Sequence, residues 1–323
     1  IKDLKKIKND LNLSYERIFK PIEKYIDNKD KIIIVSDKIF EDFPVGLLFD
    51  KSRNLYLAQK YSISYYPSVG SFIDLRSSNN QKTLTTKNNF LGIGDPKLDA
   101  KNENFNIVSI NDFKFNSRGI LEDTAKITEM FSNLPYSKTE INELGKLFES
   151  KKILLSENAN ESIIKDLDMR QFDIISFATH ASVSGSLEGF NEPFLVLTPP
   201  SEPTNENDGI LTASEVSLLN INADIVILSA CNTASKDNEY APGFSGLVSA
   251  FFRSGARSVL ATHWPISDKA TSIMINEIIK KKVYNNLDYS SALKQTKSEF
   301  IQGKYGKKYQ NPAFWASYVI IGG

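Results

Sequence analysis

The sequence holds one cysteine, Cys231, and two histidines, His180 and His263. A thiol beside an imidazole is the smallest set that performs nucleophilic acyl transfer. The thiolate attacks a carbonyl, and the imidazole gives a proton to the leaving amine. An unperturbed thiol has a pKa near ~8.5 and is only slightly ionised at neutral pH; a neighbouring imidazolium can make it mostly thiolate. Cys231 closes the apolar run "DIVILSAC" and His180 closes "DIISFATH", 231 − 180 = 51 residues earlier. That separation suits one strand–helix–strand step plus a loop. His263 also follows an apolar run, "SVLAT", and precedes Trp264-Pro265. Position therefore leaves the two histidines equivalent. Singly, Cys231 also reads as a small buried hydrophobe, each histidine as a hydrogen-bonded strand-end residue, and Trp264 as packing at a sheet edge.

The elements that would position these groups are legible from periodicity. Residues 2–27 place apolar side chains at helical spacing. "KIIIVSD" (31–37) is a short β-branched run, expected as a buried strand. "NLYLAQ" and "SISYYPSV" are strand candidates, and "SFIDLRS" a helix. The polar stretch 77–89, "SSNNQKTLTTKNN", is the expected linker. It divides an N-terminal helix and smaller α/β lobe (1–88) from a larger domain (89–323). In the larger domain, strands at 89–96, 151–155, 172–180, 223–231, 256–265 and 314–323 alternate with helices. Ser137 with Glu140, and Thr212 with Glu215, have capping-box spacing, and an asparagine caps "NESIIKDL". Strands that are apolar throughout and alternate with helices mean a mostly parallel sheet with helices on both faces. Such sheets do their chemistry at the carboxyl ends of the strands.

Composition excludes several function classes. Of 323 residues, 41% are hydrophobic, enough for a full core, and 39 basic residues balance 39 acidic ones. A net charge of zero provides no field for steering toward nucleic acid or an anionic membrane. One cysteine cannot form an internal disulfide or a cysteine-rich zinc site, so no metal and no cofactor is expected, and a reducing, cytoplasmic compartment is. No window is apolar for the length of a membrane span. The chain starts without Met and without a signal-peptide core, which suggests a piece of something longer. "GFSGL" lacks the second spacer of a serine-hydrolase elbow, and "GIGDP" lacks the third glycine of a dinucleotide loop. Asp208, Glu215 and Glu192 have no metal or glycosidase spacing.

"FATHA", "LSACNTA", "GARSVLATHWPISDKAT" and "NPAFWASYVIIG" together resemble the CHAT domain family, caspase-like cysteine peptidases often found behind tetratricopeptide (TPR) repeats and related to caspases and separase. The likeness extends upstream through "KIIIVSDKIFEDFPVGLL", "SISYYPSV", "LGIGDP" and "LPYSKTEI", covering roughly residues 31–323. It implies a caspase–haemoglobinase fold in which the catalytic histidine follows the third core strand and the cysteine the fourth. Those positions are His180 and Cys231. His263 then falls at the wall of the substrate groove and Trp264 becomes a pocket residue. Ser229, two before the cysteine, is implied to line the first pocket, and Asp208 to recognise a basic side chain, although a turn before Gly209 explains Asp208 equally well. The family usually has glycine after the histidine, where a backbone N–H helps form the oxyanion hole. Here Ala181 keeps the N–H, to act with that of Cys231, but is restricted if the site needs a positive φ.

The resemblance implies a cysteine endopeptidase acting on a protein substrate, held in check by an upstream TPR-type or sensor segment or an activating partner, in regulated proteolysis such as prokaryotic defence. The alternative is a catalytically silent caspase-like module that binds without cutting. A nucleotide-binding protein, resting on "GIGDP" alone, is the third reading.

Overall fold

Every residue is buried in the central strands β7 (Ile174–Ala178), β11 (Ile225–Leu228) and β12 (Ser258–Thr262) because both faces of the sheet are covered. In β7, Ile175 and Phe177 face one core while Ile174 faces the other. In β12, Val259 and Ala261 oppose Leu260 in the same way. The period of two along each strand thus feeds two apolar layers at once, and the strands read as unbroken apolar runs. The computed structural model describes residues 4–35, 43–79, 88–98, 131–182, 192–204, 206–229 and 246–323. Cys231 and residues 243–245 of "GFSGL" lie outside them, as does most of the expected linker.

In chain order, α1 (Leu4–Ser14) continues through a π turn (Tyr15–Phe19) into α2 (Lys20–Ile26) without leaving helical backbone. Then come β1 (Lys31–Val35), a small hairpin of β2 (Phe49–Asp50) and β3 (Leu55–Tyr56), α3 (Leu57–Lys60), β4 (Ser62–Tyr66) and α4 (Val69–Asn79). After these follow β5 (Phe90–Gly94), α5 (Pro135–Gly145), β6 (Lys151–Leu155), α6 (Glu161–Lys165), β7, β8 (Ala181–Ser182), β9 (Phe194–Val196), β10 (Ile210–Thr212), α7 (Ala213–Leu218) and β11 (Ile225–Leu228). The last elements are α8 (Gly246–Ser254), β12, α9 (Asp268–Asn285), α10 (Tyr289–Gln302) and β13 (Tyr318–Gly322).

The main sheet has eight strands in the order β1-β4-β13-β12-β11-β7-β5-β6, all parallel to their neighbours except the β12–β13 pair. The mixed α/β architecture with a mostly parallel sheet is therefore as expected. Three local expectations change. "KIIIVSD" forms a strand, but at the sheet edge, with Ile33 and Val35 37% and 41% exposed rather than buried. In "NLYLAQ" only Leu55 and Tyr56 are strand, and Leu57 already begins a helix. Ser137 and Glu140 form no capping box. Pro135, which cannot donate and favours the first helical position, starts α5 one turn earlier. Ser137 instead donates to the Leu134 carbonyl (2.7 Å) and accepts from the Asp95 N–H (3.0 Å). The other box, Thr212 with Glu215, is present in full, and Asn160 caps α6 through the Ile163 N–H (3.0 Å).

Two glycines set the distance of α5 from the sheet. A Cβ on Gly92 would stand 2.6 Å from Ile141 Cγ2, and one on Gly94 2.9 Å from Ile141 Cγ1. "GIG" is thus a landing place for the helix rather than a phosphate loop, and it brings the inner face of α5 against the carboxyl ends of the strands.

Candidate active site

Strands β7 and β11 are neighbours and parallel, with Phe177 paired to Leu228 and the Ser229 N–H donating to the Phe177 carbonyl (2.9 Å). They therefore end at the same edge. Thr179 and His180 emerge from β7, Ser229 from β11, and Thr262 ends β12. With Leu134, Ile266, Asp268 and Thr271 these residues line a narrow cavity of about 30 Å³.

His180 is half-buried. Its Nε2 lies 2.6 Å from the Ser132 carbonyl oxygen, and the Phe131 ring stacks obliquely at 5.1 Å between centroids. A carbonyl oxygen only accepts, so Nε2 must carry the proton, and Nδ1 is the acceptor of the neutral ring. Burial holds the imidazole below its ordinary pKa, an effect only partly offset by the Ser132 carbonyl. The neutral ring is thus favoured at neutral pH, ready to take a proton.

Ala181 has no positive φ, so alanine is unstrained there. The Val196 N–H donates to the His180 carbonyl (2.9 Å), which makes Ala181 and Leu195 the non-hydrogen-bonded pair of this antiparallel ladder. The Ala181 N–H accordingly points away from β9.

Ser229 donates to Glu140 Oε1 on α5 (2.5 Å). Glu140 is 1% exposed, and burial pushes its carboxyl up to about 8, with a further push from the charge of Asp268. Asp268, the first residue of α9, accepts from the Tyr136 N–H (2.7 Å) and is also raised by burial. Sequence patterns pointed to neither acid: Glu140 passed for a cap and Asp268 for an ordinary helix start. The glycines of "GIG" were the one signal that a helix comes close here.

The other named residues stand elsewhere. Asp208 shapes a turn, accepting from the Ile210 N–H (2.8 Å) and giving its own N–H to Glu161 (2.9 Å); burial pushes its carboxyl up to about 6. His263 is buried, and burial together with the charge of Lys297 lowers its ring to about 4. Trp264 is partly buried, packs against the edge of the core and donates its indole N–H to the Ala313 carbonyl (3.0 Å). None of these three lines the cavity beside His180. Glu192 accepts from the Ser214 N–H and Glu215 completes its cap. Among the described residues no group of three or more metal-ligating side chains is present, and no helix is long and apolar enough to cross a membrane.

A mostly parallel sheet with helices on both faces, carrying a histidine at the carboxyl end of a central strand, is a caspase-like α/β fold. Solved structures agree at the level of fold. Crystal structures of the Arg-specific cysteine proteinase gingipain R (TM-score 0.52, 12% identity, 99% of this chain and 67% of that one) and of the Saccharomyces cerevisiae separase–securin complex (TM-score 0.51, 14% identity, 90% and 15%) share it. The CHAT domain profile matches residues 9–323, and the chain belongs to that family. Human tetratricopeptide repeat protein 28 is 22% identical over 323 residues, covering 90% of this chain; the chain spans only 12% of that protein's length.

Proposed function

We propose that the chain is a cysteine endopeptidase in which Cys231 is the nucleophile and His180 its proton carrier. The observation that carries this reading is the hold on His180. With Nε2 committed to the Ser132 carbonyl at 2.6 Å, Nδ1 is left as the acceptor on a half-buried ring. The ring stands at the cavity shared with Ser229, two residues before Cys231 in the chain. His180 Nδ1 takes the thiol proton, and the thiolate attacks the scissile carbonyl of an extended peptide lying along the carboxyl edge. The N–H groups of Ala181 and Cys231 receive the oxyanion, each such donor being worth about 3–4 kcal/mol in the transition state. The imidazolium then protonates the leaving amine, and the regenerated base activates water against the thioester. The kinship with a tetratricopeptide repeat protein supports control by an upstream repeat segment or an activating partner.

Cleavage by the full-length chain should fall by roughly 10⁴-fold or more in Cys231→Ala, as when the nucleophile of other hydrolases is removed. Alkylation of Cys231 by iodoacetamide should be fast and should slow in His180→Ala. Slow labelling that ignores His180 would mean a silent binding module instead.

A further inference from the structure

Lys297, on α10, is a buried amine that the proposed chemistry does not use. It is 6% exposed, and its hydrogen bond among the described residues goes to the Tyr318 carbonyl on β13 (2.7 Å). Burial lowers its pKa to about 7, with no carboxylate among the described residues to oppose the shift. The amine lines a cavity of about 20 Å³, walled on the other side by Tyr61, Ile63 and Tyr65. Among the described residues that line this cavity, Lys294 and Lys297 are the charged ones, and no acid stands with them. The two lysines are three positions apart on one helix and therefore neighbours. Lys294 gives one N–H to the Lys60 carbonyl (2.8 Å) and has two more to offer. Lys294 and Ser290, also in the lining, are half-buried, so the cavity communicates with solvent. The other titratable groups around Nζ are Tyr318 on β13, Tyr61 and Tyr65 at β4, and His263 beyond β12, whose ring the Lys297 charge lowers.

We propose that Lys297 is a carbamylation site, its amine taking up dissolved carbon dioxide to carry a carbamate whose charge Lys294 balances. The site is independent of Cys231. The neutral Nζ gives its lone pair to the carbon of carbon dioxide. The N–C bond forms, one C–O π pair moves onto oxygen as the negative charge, and one of the two Nζ protons leaves to water. The proton that stays keeps the hydrogen bond to the Tyr318 carbonyl, so the acceptor beside Nζ matches the single N–H of the product. Three features select this reagent. The neutral amine is the reactive form, and removal from water favours it. A reagent that enters about 20 Å³ must be small, and a neutral triatomic enters without the desolvation cost that an anion bears. The product turns two neighbouring lysines, alike in sign when both are protonated, into an ion pair between Lys294 and the carbamate.

To test this, the full chain is equilibrated with bicarbonate labelled with heavy carbon. A trialkyloxonium salt then traps any carbamate as its ester, and digested peptides are read by mass spectrometry. The label should sit on Lys297 at about tenfold or more the occupancy of any other lysine, because an exposed lysine amine is almost wholly protonated at neutral pH. At constant dissolved carbon dioxide, occupancy should rise from about pH 6 to about pH 8, since the neutral amine reacts and the product releases a proton. Unfolding the chain in denaturant before labelling should erase the preference for Lys297. Lys294→Gln should lower Lys297 occupancy by about threefold or more by removing the counter-charge. No label on Lys297, label spread evenly over the lysines, or a preference that persists in the unfolded chain overturns the proposal. Unchanged occupancy in a folded Lys294→Gln chain overturns the role of Lys294. The wild-type measurement needs no variant, so it decides the site even if Lys294→Gln misfolds.

Discussion

Two of the acidic clusters in this protein differ in what neutralises them. In the first, Glu161, Glu215 and Asp208 come together around Lys165. The lysine donates to Glu161 (2.5 Å), Glu215 (2.7 Å) and the Glu206 carbonyl (2.6 Å). The other oxygen of Glu161 accepts the Asp208 and Gly209 N–H groups, both at 2.9 Å. Each acid there has a partner supplied by the chain, and the cluster pins the turn that enters β10. In the second, Glu140 and Asp268 have, among the described residues, a hydroxyl and one N–H between them. The first cluster is balanced by an internal cation; the second leaves two acids with no cationic partner among the described residues. Asp208, by contrast, already has Lys165 in its electrostatic surroundings.

The largest effect that would break this contrast is removal of the internal cation. Lys165→Met leaves Glu161 buried with two N–H groups but no counter-charge, and should cost about 3–5 kcal/mol in denaturant unfolding. A change under 1 kcal/mol would show that Lys165 is dispensable and that the clusters are alike. The opposite sign is expected at the second cluster. Glu140 has a folded pKa of about 8 against an ordinary value of 4.5. Its contribution to stability is therefore fully present below about pH 4.5 and is lost as pH rises toward 8. Glu140→Gln keeps an acceptor for Ser229 and removes that loss. It should stabilise the fold by roughly 1–3 kcal/mol at pH 7.5 and have little effect at pH 4.5. A destabilised variant at pH 7.5 would mean the carboxylate is compensated after all.

The first cluster was half visible in the sequence and the second was not. The Asn160 cap and the Thr212–Glu215 box are local, fixed by residues three apart, and they build the elements on which Glu161, Lys165 and Glu215 sit. Strands β7 and β11 were visible for the same reason, expected to close at His180 and Cys231 and observed to end at Ala178 and Leu228. Glu140 meets Ser229 across 89 positions of sequence, through a helix whose approach depends on two glycines in another strand. Its spacing from Ser137 imitated a cap, and only Pro135, by fixing the helix start, argued otherwise. The last strand hid its partners equally well. β13 comes from the C-terminus yet lies between β4 and β12, so residues before and after position 88 share one sheet. Patterns within a segment name its type; which segments meet is decided by packing that no short window contains.

The smallest test probes the scaffold of the first cluster without touching its charges. Asn160 precedes Glu161 and caps α6, the five-residue helix that carries both Glu161 and Lys165. Its side-chain oxygen accepts from the Ile163 N–H at 3.0 Å, and its amide donates to the Glu157 carbonyl at 2.7 Å. A helix this short has few internal hydrogen bonds, so its position depends on the cap and on the acid–lysine contacts that tie it to the turn at Asp208. Asn160→Ala should cost about 1 kcal/mol, the usual worth of such a cap. Because α6 contributes nothing to the cavity beside His180, the rate of Cys231 alkylation should not move. In Asn160→Ala combined with Lys165→Met the two losses should exceed their sum or fall short of it, since both act on one helix. Strict additivity in the denaturation midpoints would show that the cap and the cluster hold α6 independently.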